Sequence, residues 1–182
     1  MTRPAPRRSA PSWPAGSAAM RRVAGCSLAG VAMVALAQPV LAVDAKPKPP
    51  FYASVAPAKA RMRSGPARTH PVSWLYPRAD LPVRVVAVWK EWRKVADPDG
   101  TEGWMQGNMV SSRRTAIVHA TQPVAMLDRP VPGARLLWRA APGVVGRIGE
   151  CANGWCRFDV KGQAGYVQIS GLWGVDPGET IP

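Results

Sequence analysis

Apolar and polar positions alternate along most of this chain in short runs broken by turn residues, the period of a strand with one buried face. From Ala60 onward the pattern predicts strands at 72–76, 83–88, 92–96 and 102–106, with 115–118 closing a first module. A second set follows at 124–127, 134–138, 144–151, 155–160 and 163–168. Asp97-Pro98-Asp99-Gly100 is a hairpin signal between the third and fourth runs. No window carries the 3.6-residue period of a long amphipathic helix. The expected class is all-β.

The two sets repeat each other. Trp92-Arg93-Lys94-Val95, Asp99-Gly100 and Gly103-Trp104-Met105 return as Trp155-Cys156-Arg157-Phe158, Lys161-Gly162 and Gly165-Tyr166-Val167. Both glycine pairs are offset by 62 positions and the Trp92/Trp155 pair by 63, so one residue separates the registers. A repeat of this length made of short strands implies two small β-barrels in tandem, each curling its sheet to limit open edges.

Phase within the strands separates core from surface. Val95, Met105, Phe158 and Val167 fall on the side expected to face the cores. Trp92, Lys94 and Trp104, with their counterparts Trp155, Arg157 and Tyr166, then share the outer faces. An aromatic pair with a cation beside it is a candidate ligand-binding surface, through Trp92, Lys94 and Trp104. The same aromatics would equally serve to pack the two modules together. Alternation alone leaves both readings open.

The first residues belong to a different pattern. Arg21 and Arg22 precede a small-residue apolar run over 23–37, and Val40-Leu41-Ala42 offers the small residues of a cleavage site. Residues 1–42 are expected to be a signal peptide, with Met20 a more ordinary start than Met1. Most of the apolar run follows Cys26, opposite to the order of a lipoprotein box, and an uncleaved anchor is the alternative to cleavage. Residues 43–58, with Lys46-Pro47-Lys48-Pro49-Pro50, read as an extended linker. The expected domains are 59–119 for the first barrel and 120–182 for the second.

Charge narrows the partners. The chain has 24 Lys and Arg against 11 Asp and Glu, a net +13. Cleavage after Ala42 removes five arginines and no acid, which leaves about +8. A basic exported protein meets anionic wall polymers, lipid headgroups or acidic proteins. The charge is spread along the chain without a block of Lys and Arg, which argues against nucleic acid.

Only two cysteines remain after such cleavage. In Cys151-Ala152-Asn153-Gly154-Trp155-Cys156, Asn-Gly centres a two-residue hairpin, because both residues accept positive φ. Cys151 and Cys156 then face each other one rung beyond the closing pair, within reach of a disulfide in an oxidising compartment. Catalytic chemistry finds no coherent set. His70 and His119 have no thiol to activate, no Gly-x-Ser-x-Gly elbow is present, and Asp97 and Asp99 are explained as turn formers. Neither a metal-spaced His/Cys set nor a phosphate-cradling glycine loop occurs. The reading is of a protein that is not an enzyme and has no cofactor.

Arg61-Met62-Arg63-Ser64-Gly65-Pro66, Trp92-Arg93-Lys94-Val95, Asp99-Gly100 and Gly103-Trp104-Met105 together resemble the bacterial SH3 domain. The second module is similar, although Leu127-Asp128-Arg129-Pro130 lacks the glycine of that turn and Tyr166 replaces the tryptophan. The cysteine hairpin and the ending Leu172-Trp173-Gly174-Val175 resemble secreted tandem members from Gram-negative bacteria. The resemblance implies an SH3-like barrel in each module. It also implies a periplasmic or secreted binding role in the cell envelope, with a cell-wall (peptidoglycan) peptide or an envelope protein as partner.

Overall fold

The computed structural model describes residues 47–182, and the signal peptide expected at 1–42 lies outside them. Seven strands make a first antiparallel sheet: β1 Phe51–Val55, β2 Ala60–Arg63, β3 Val72–Tyr76, β4 Pro82–Trp89, β5 Trp92–Ala96, β6 Glu102–Gln106 and β7 Val110–Ser111. Its order is β3-β2-β6-β5-β4-β1-β7. The second comprises β8 Thr115–Val118, β9 Val124–Leu127, β10 Leu136–Ala140, β11 Val145–Ala152, β12 Trp155–Val160, β13 Gln163–Gln168 and β14 Leu172–Trp173. Its order, β10-β9-β13-β12-β11-β8-β14, repeats the first strand for strand. A 3-10 turn, Gly107–Met109 or Ile169–Gly171, precedes the last strand of each.

Each sheet curls round one apolar core. Val55, Met62, Val83, Val85, Val95 and Met105 are fully buried in the first, and Met126, Cys156, Phe158 and Val167 fill the second. The core side read from alternation is therefore correct for Val95, Met105, Phe158 and Val167. The repeated glycines have a steric cause. A Cβ at Gly103 would lie 2.5 Å from Met62 Cγ, and one at Gly165 would lie 2.9 Å from Met126 Cβ. At these points β6 and β13 must let the core methionine of the neighbouring strand pass. Gly100 and Gly162 recur for a different reason, their φ of 82° and 90° at the hairpin turns.

Two expected boundaries move. Residues 51–55 are not linker but β1, whose Ala53 and Val55 enter the core and which pairs with both β4 and β7. Residues 115–118 do not close the first module; as β8 they pair with β11 and β14 of the second sheet. The first sheet is completed instead by β7 against β1. Pairing partners of such short strands are set by the distant chain, not by their own residues.

The cysteine hairpin forms in the expected register, with Ala152 opposite Trp155 and Cys151 opposite Cys156. Asn153 and Gly154 take φ of 51° and 82°, and the disulfide joins the cysteines across a Cα separation of 4.1 Å. Cys151 also exchanges both backbone hydrogen bonds with Ile181, so the crosslinked hairpin anchors the C-terminal tail. Alkylation of the native unreduced protein should leave Cys151 and Cys156 unlabelled. Replacing both by serine should cost about 2 kcal/mol in a urea melt, the low end for a short loop. Full labelling without reductant would contradict the bond.

The aromatics that join the two sheets are Tyr52 of β1 and Trp173 of β14, edge to face at 5.2 Å between centroids. Arg84 and Arg114 lie over the Tyr52 ring at 5.5 and 5.7 Å, and Arg84 reaches Asp176 at 3.7 Å. Burial raises the Tyr52 pKa above its ordinary value. Arg114 donates to both Glu179 oxygens at 2.6 and 3.0 Å, and this bond lowers the glutamate's pKa. A depressed carboxyl stabilises the fold above its unfolded pKa and loses that contribution as pH falls through its folded one. Acid therefore loosens this clasp.

Candidate ligand-binding site

β2, the eight-residue loop that follows it, the start of β5 and the 3-10 turn after β6 meet around a hollow of about 300 Å³. Arg61, Arg63, Arg68, Trp92, Gln106 and Met109 line it. Arg61 and Arg63 flank the buried Met62 in β2, so alternation sends both away from the core. Arg63 Nη1 donates to the His70 carbonyl at 2.7 Å, which ties the loop back onto its own strand. His70 packs over Gly65, where a Cβ would sit 2.5 Å from the imidazole. With the Gln106 amide turned so that its oxygen faces Arg68, that oxygen accepts from Nε and Nη2, each at 3.3 Å.

Among the described residues, none of these three arginines is in an ion pair. Three guanidinium groups beside one small hollow with no carboxylate against them produce a positive potential there. An anionic group entering it would find planar, multidentate donors.

Of the residues expected to form the outer binding face, Lys94 and Trp104 lie opposite each other, but Trp92 is not exposed beside them. Trp92 has the outward phase but is only 4% exposed. It lies at the first position of β5, where the chain leaving β6 folds back and Gly107 N–H donates to the Glu91 carbonyl at 2.7 Å. Pleat phase fixes the side of the sheet and says nothing of what covers that side. Trp92 is thus the floor of the hollow, not an exposed platform. Lys94 is engaged with Glu102 at 2.6 Å, an exposed pair whose energetic worth is small. Trp104 is half-buried, with Lys94 opposite it on one side and Arg63 on the other.

Arg61, Arg63, Arg68 and Gln106 escaped the reading of the sequence. Two of them stand in the Arg-Met-Arg segment singled out for its resemblance. Their alternation around Met62 was the available signal.

No group of three or more His, Cys, Asp or Glu that could hold a metal ion occurs among the described residues. No helix among them is long and apolar enough to cross a membrane.

The sequence matches the family described as bacterial SH3 domain over residues 56–111 and again over 120–174, more than half of the chain. This protein belongs to the bacterial SH3 domain family, as a tandem of two such domains. The family is one of binding domains and is typical of cell-envelope proteins. No curated protein matches the chain. Among solved structures it is similar to NlpC2 from Trichomonas vaginalis, with 10% identity and a TM-score of 0.32 over 72% of this chain and 52% of that one. An NlpC/P60 family protein from Bacillus cereus gives 10% identity and a TM-score of 0.30, over 67% of this chain and 55% of that one. The chain spans about half the length of these proteins, and likeness at this level carries no argument about activity.

Proposed function

We propose that the protein is an exported, non-catalytic binding module of the cell envelope and that its ligand is a peptidoglycan peptide. The observation that carries this reading is the hollow over Trp92, where Arg61, Arg63 and Arg68 stand without carboxylate partners in a domain of a binding family. Wall peptides bear carboxylates, which complement that charge. The net positive charge of the chain favours the same polymer.

A second reading, a protein-interaction or scaffold role in the envelope, has its own observation. Trp74 and Leu75 on β3 and Leu137 and Trp138 on β10 are exposed on edge strands, at 52%, 50%, 36% and 44%. Apolar side chains on an open edge are a surface for another protein. Incubation with purified sacculi across a salt series separates the two. Salt-sensitive retention supports wall binding. No retention, with a defined envelope protein captured instead, supports the scaffold.

Trp104 does not line the hollow but pairs with Arg63 beside it, and it tests whether a wall ligand reaches the neighbouring strand. Trp104→Ala should weaken retention on sacculi about tenfold, the worth of an aromatic anchor of roughly 1.4 kcal/mol. Its thermal midpoint should change little. A variant that unfolds readily while its folded fraction binds like wild type would make Trp104 a packing residue.

A further inference from the structure

The two sheets contain the same hollow, built from equivalent positions with different chemistry. In the first sheet Arg63 pairs with Trp104, and in the second Leu127 pairs with Tyr166, its counterpart. Arg63 is therefore equivalent to Leu127 and, two residues back, Arg61 to Ala125. The following loops, 64–71 and 128–135, have the same length, which matches Arg68 with Pro132. Trp92 corresponds to Trp155, and Gln106 to Gln168, each occupying the same place in its ladder. Met109 and Gly171 both end the 3-10 turn. All six second-sheet counterparts line the larger hollow of about 660 Å³.

The tryptophan and the glutamine have stayed while all three arginines have become alanine, leucine and proline. One arginine, Arg139, lines the second hollow, where the first sheet has Leu75. The Trp-Gln pair is common to both floors, and one arginine in place of three lowers the positive charge of the second hollow.

We infer that the tandem domains are not interchangeable: only the hollow over Trp92 selects an anionic group, and that group is the carboxylate of a peptide. Arg61, Arg63 and Arg68 supply its charge-assisted hydrogen bonds, while the equivalent hollow over Trp155, with Arg139 alone, discriminates far less by charge. This inference rests on the peptide-binding reading above and specifies which domain reads which chemistry. A carboxylate suits the site because guanidinium groups meet it in a planar fork. The adjacent Gln106 amide and the Trp92 floor complement a peptide unit.

The test uses the protein as recovered from cells and soluble peptide-bearing fragments released from sacculi by a muramidase. Binding is measured with native fragments and with fragments whose carboxylates have been amidated by carbodiimide chemistry. Wild type should bind amidated fragments at least about tenfold more weakly, the effect of losing one charge-assisted contact. Arg61→Gln/Arg68→Gln should lose a similar factor on native fragments and become insensitive to amidation. This pair leaves the Arg63–His70 bond in place, and an unchanged melting midpoint verifies its fold. Trp155→Ala, in the other hollow, should retain wild-type sensitivity to amidation.

Equal binding of native and amidated fragments would overturn the inference while leaving the peptide-binding reading intact. So would sensitivity that moves with Trp155 instead of the arginines. If wild type binds neither fragment, the peptide reading fails and this inference with it. Arginine-dependent retention by phosphatidylglycerol vesicles, with no fragment binding, would reassign the site to a lipid headgroup.

Discussion

Phe158→Val should destabilise the second domain by about 2–4 kcal/mol, and Gly146→Val/Phe158→Val should recover only part of the loss, because the Asp159 carbonyl still crowds a side chain at 146. Phe158 is fully buried, and a Cβ at Gly146 would lie 2.7 Å from two atoms of its ring and 2.7 Å from the Asp159 carbonyl oxygen. The ring thus fills space left by an absent side chain. The first domain solves the same problem differently. Val85 pairs with Val95 there as Ile148 pairs with Phe158 here, so Val83 and Val95 are the counterparts of Gly146 and Phe158. Both valines are fully buried. One core uses two medium side chains where the other uses one large and none. Phe158→Val alone leaves a cavity, and Gly146→Val alone forces an overlap, so both singles are expected to be poor. Urea melts of the two singles and the double measure the coupling. Additive losses would show that the two positions do not share one volume.

Asp97→Ala is the second large effect, with an expected loss of about 3 kcal/mol in the first domain. Asp97 is 7% exposed just after β5. Its Oδ1 accepts from the Asp99 and Thr101 backbone N–H groups at 3.1 and 2.8 Å, and its Oδ2 accepts from the Tyr76 hydroxyl at 2.9 Å. Alanine would strand all three donors together, two of them in a tight hairpin. Asp97→Asn keeps one acceptor oxygen and should cost roughly half as much. Burial, then the bond to Asp97, pushes the Tyr76 pKa well above the ordinary tyrosine value of 10.0. A pKa raised in the folded state contributes stability below the unfolded value that is lost as pH rises toward the folded one. Wild type should therefore weaken above about pH 10, and Tyr76→Phe should remove part of that alkaline loss. An Asp97→Ala protein melting like wild type would mean that the clasp adds nothing to the hairpin.

Local chemistry made much of this fold readable in the sequence. The Asn153-Gly154 turn requires positive φ at both positions, and its geometry alone brings Cys151 opposite Cys156. Strict alternation along β5, β6, β12 and β13 likewise revealed Val95, Met105, Phe158 and Val167 as core. What escaped was decided by distant parts of the chain. β1 is short and follows a proline-rich stretch, and its place between β4 and β7 depends on strands far along the sequence. β8 carries nothing in its own four residues that states which sheet it joins. Trp92 has the phase of a surface residue yet is only 4% exposed, because phase does not tell what the fold lays over that side. The arginines of the hollow lie more than twenty positions before Trp92, so their convergence is a product of the fold.

The central claim is that this tandem of bacterial SH3 domains binds the wall through the charged hollow of its first domain. Retention of the protein on purified sacculi, measured from low to high salt, tests it most directly. Exposed guanidinium contacts to carboxylates are screened by salt. Retention should be strong at low salt and fall progressively as salt rises, with little retention of Arg61→Gln/Arg68→Gln at any salt. Absence of wild-type retention at low salt, or retention that the arginine pair does not affect, would contradict it.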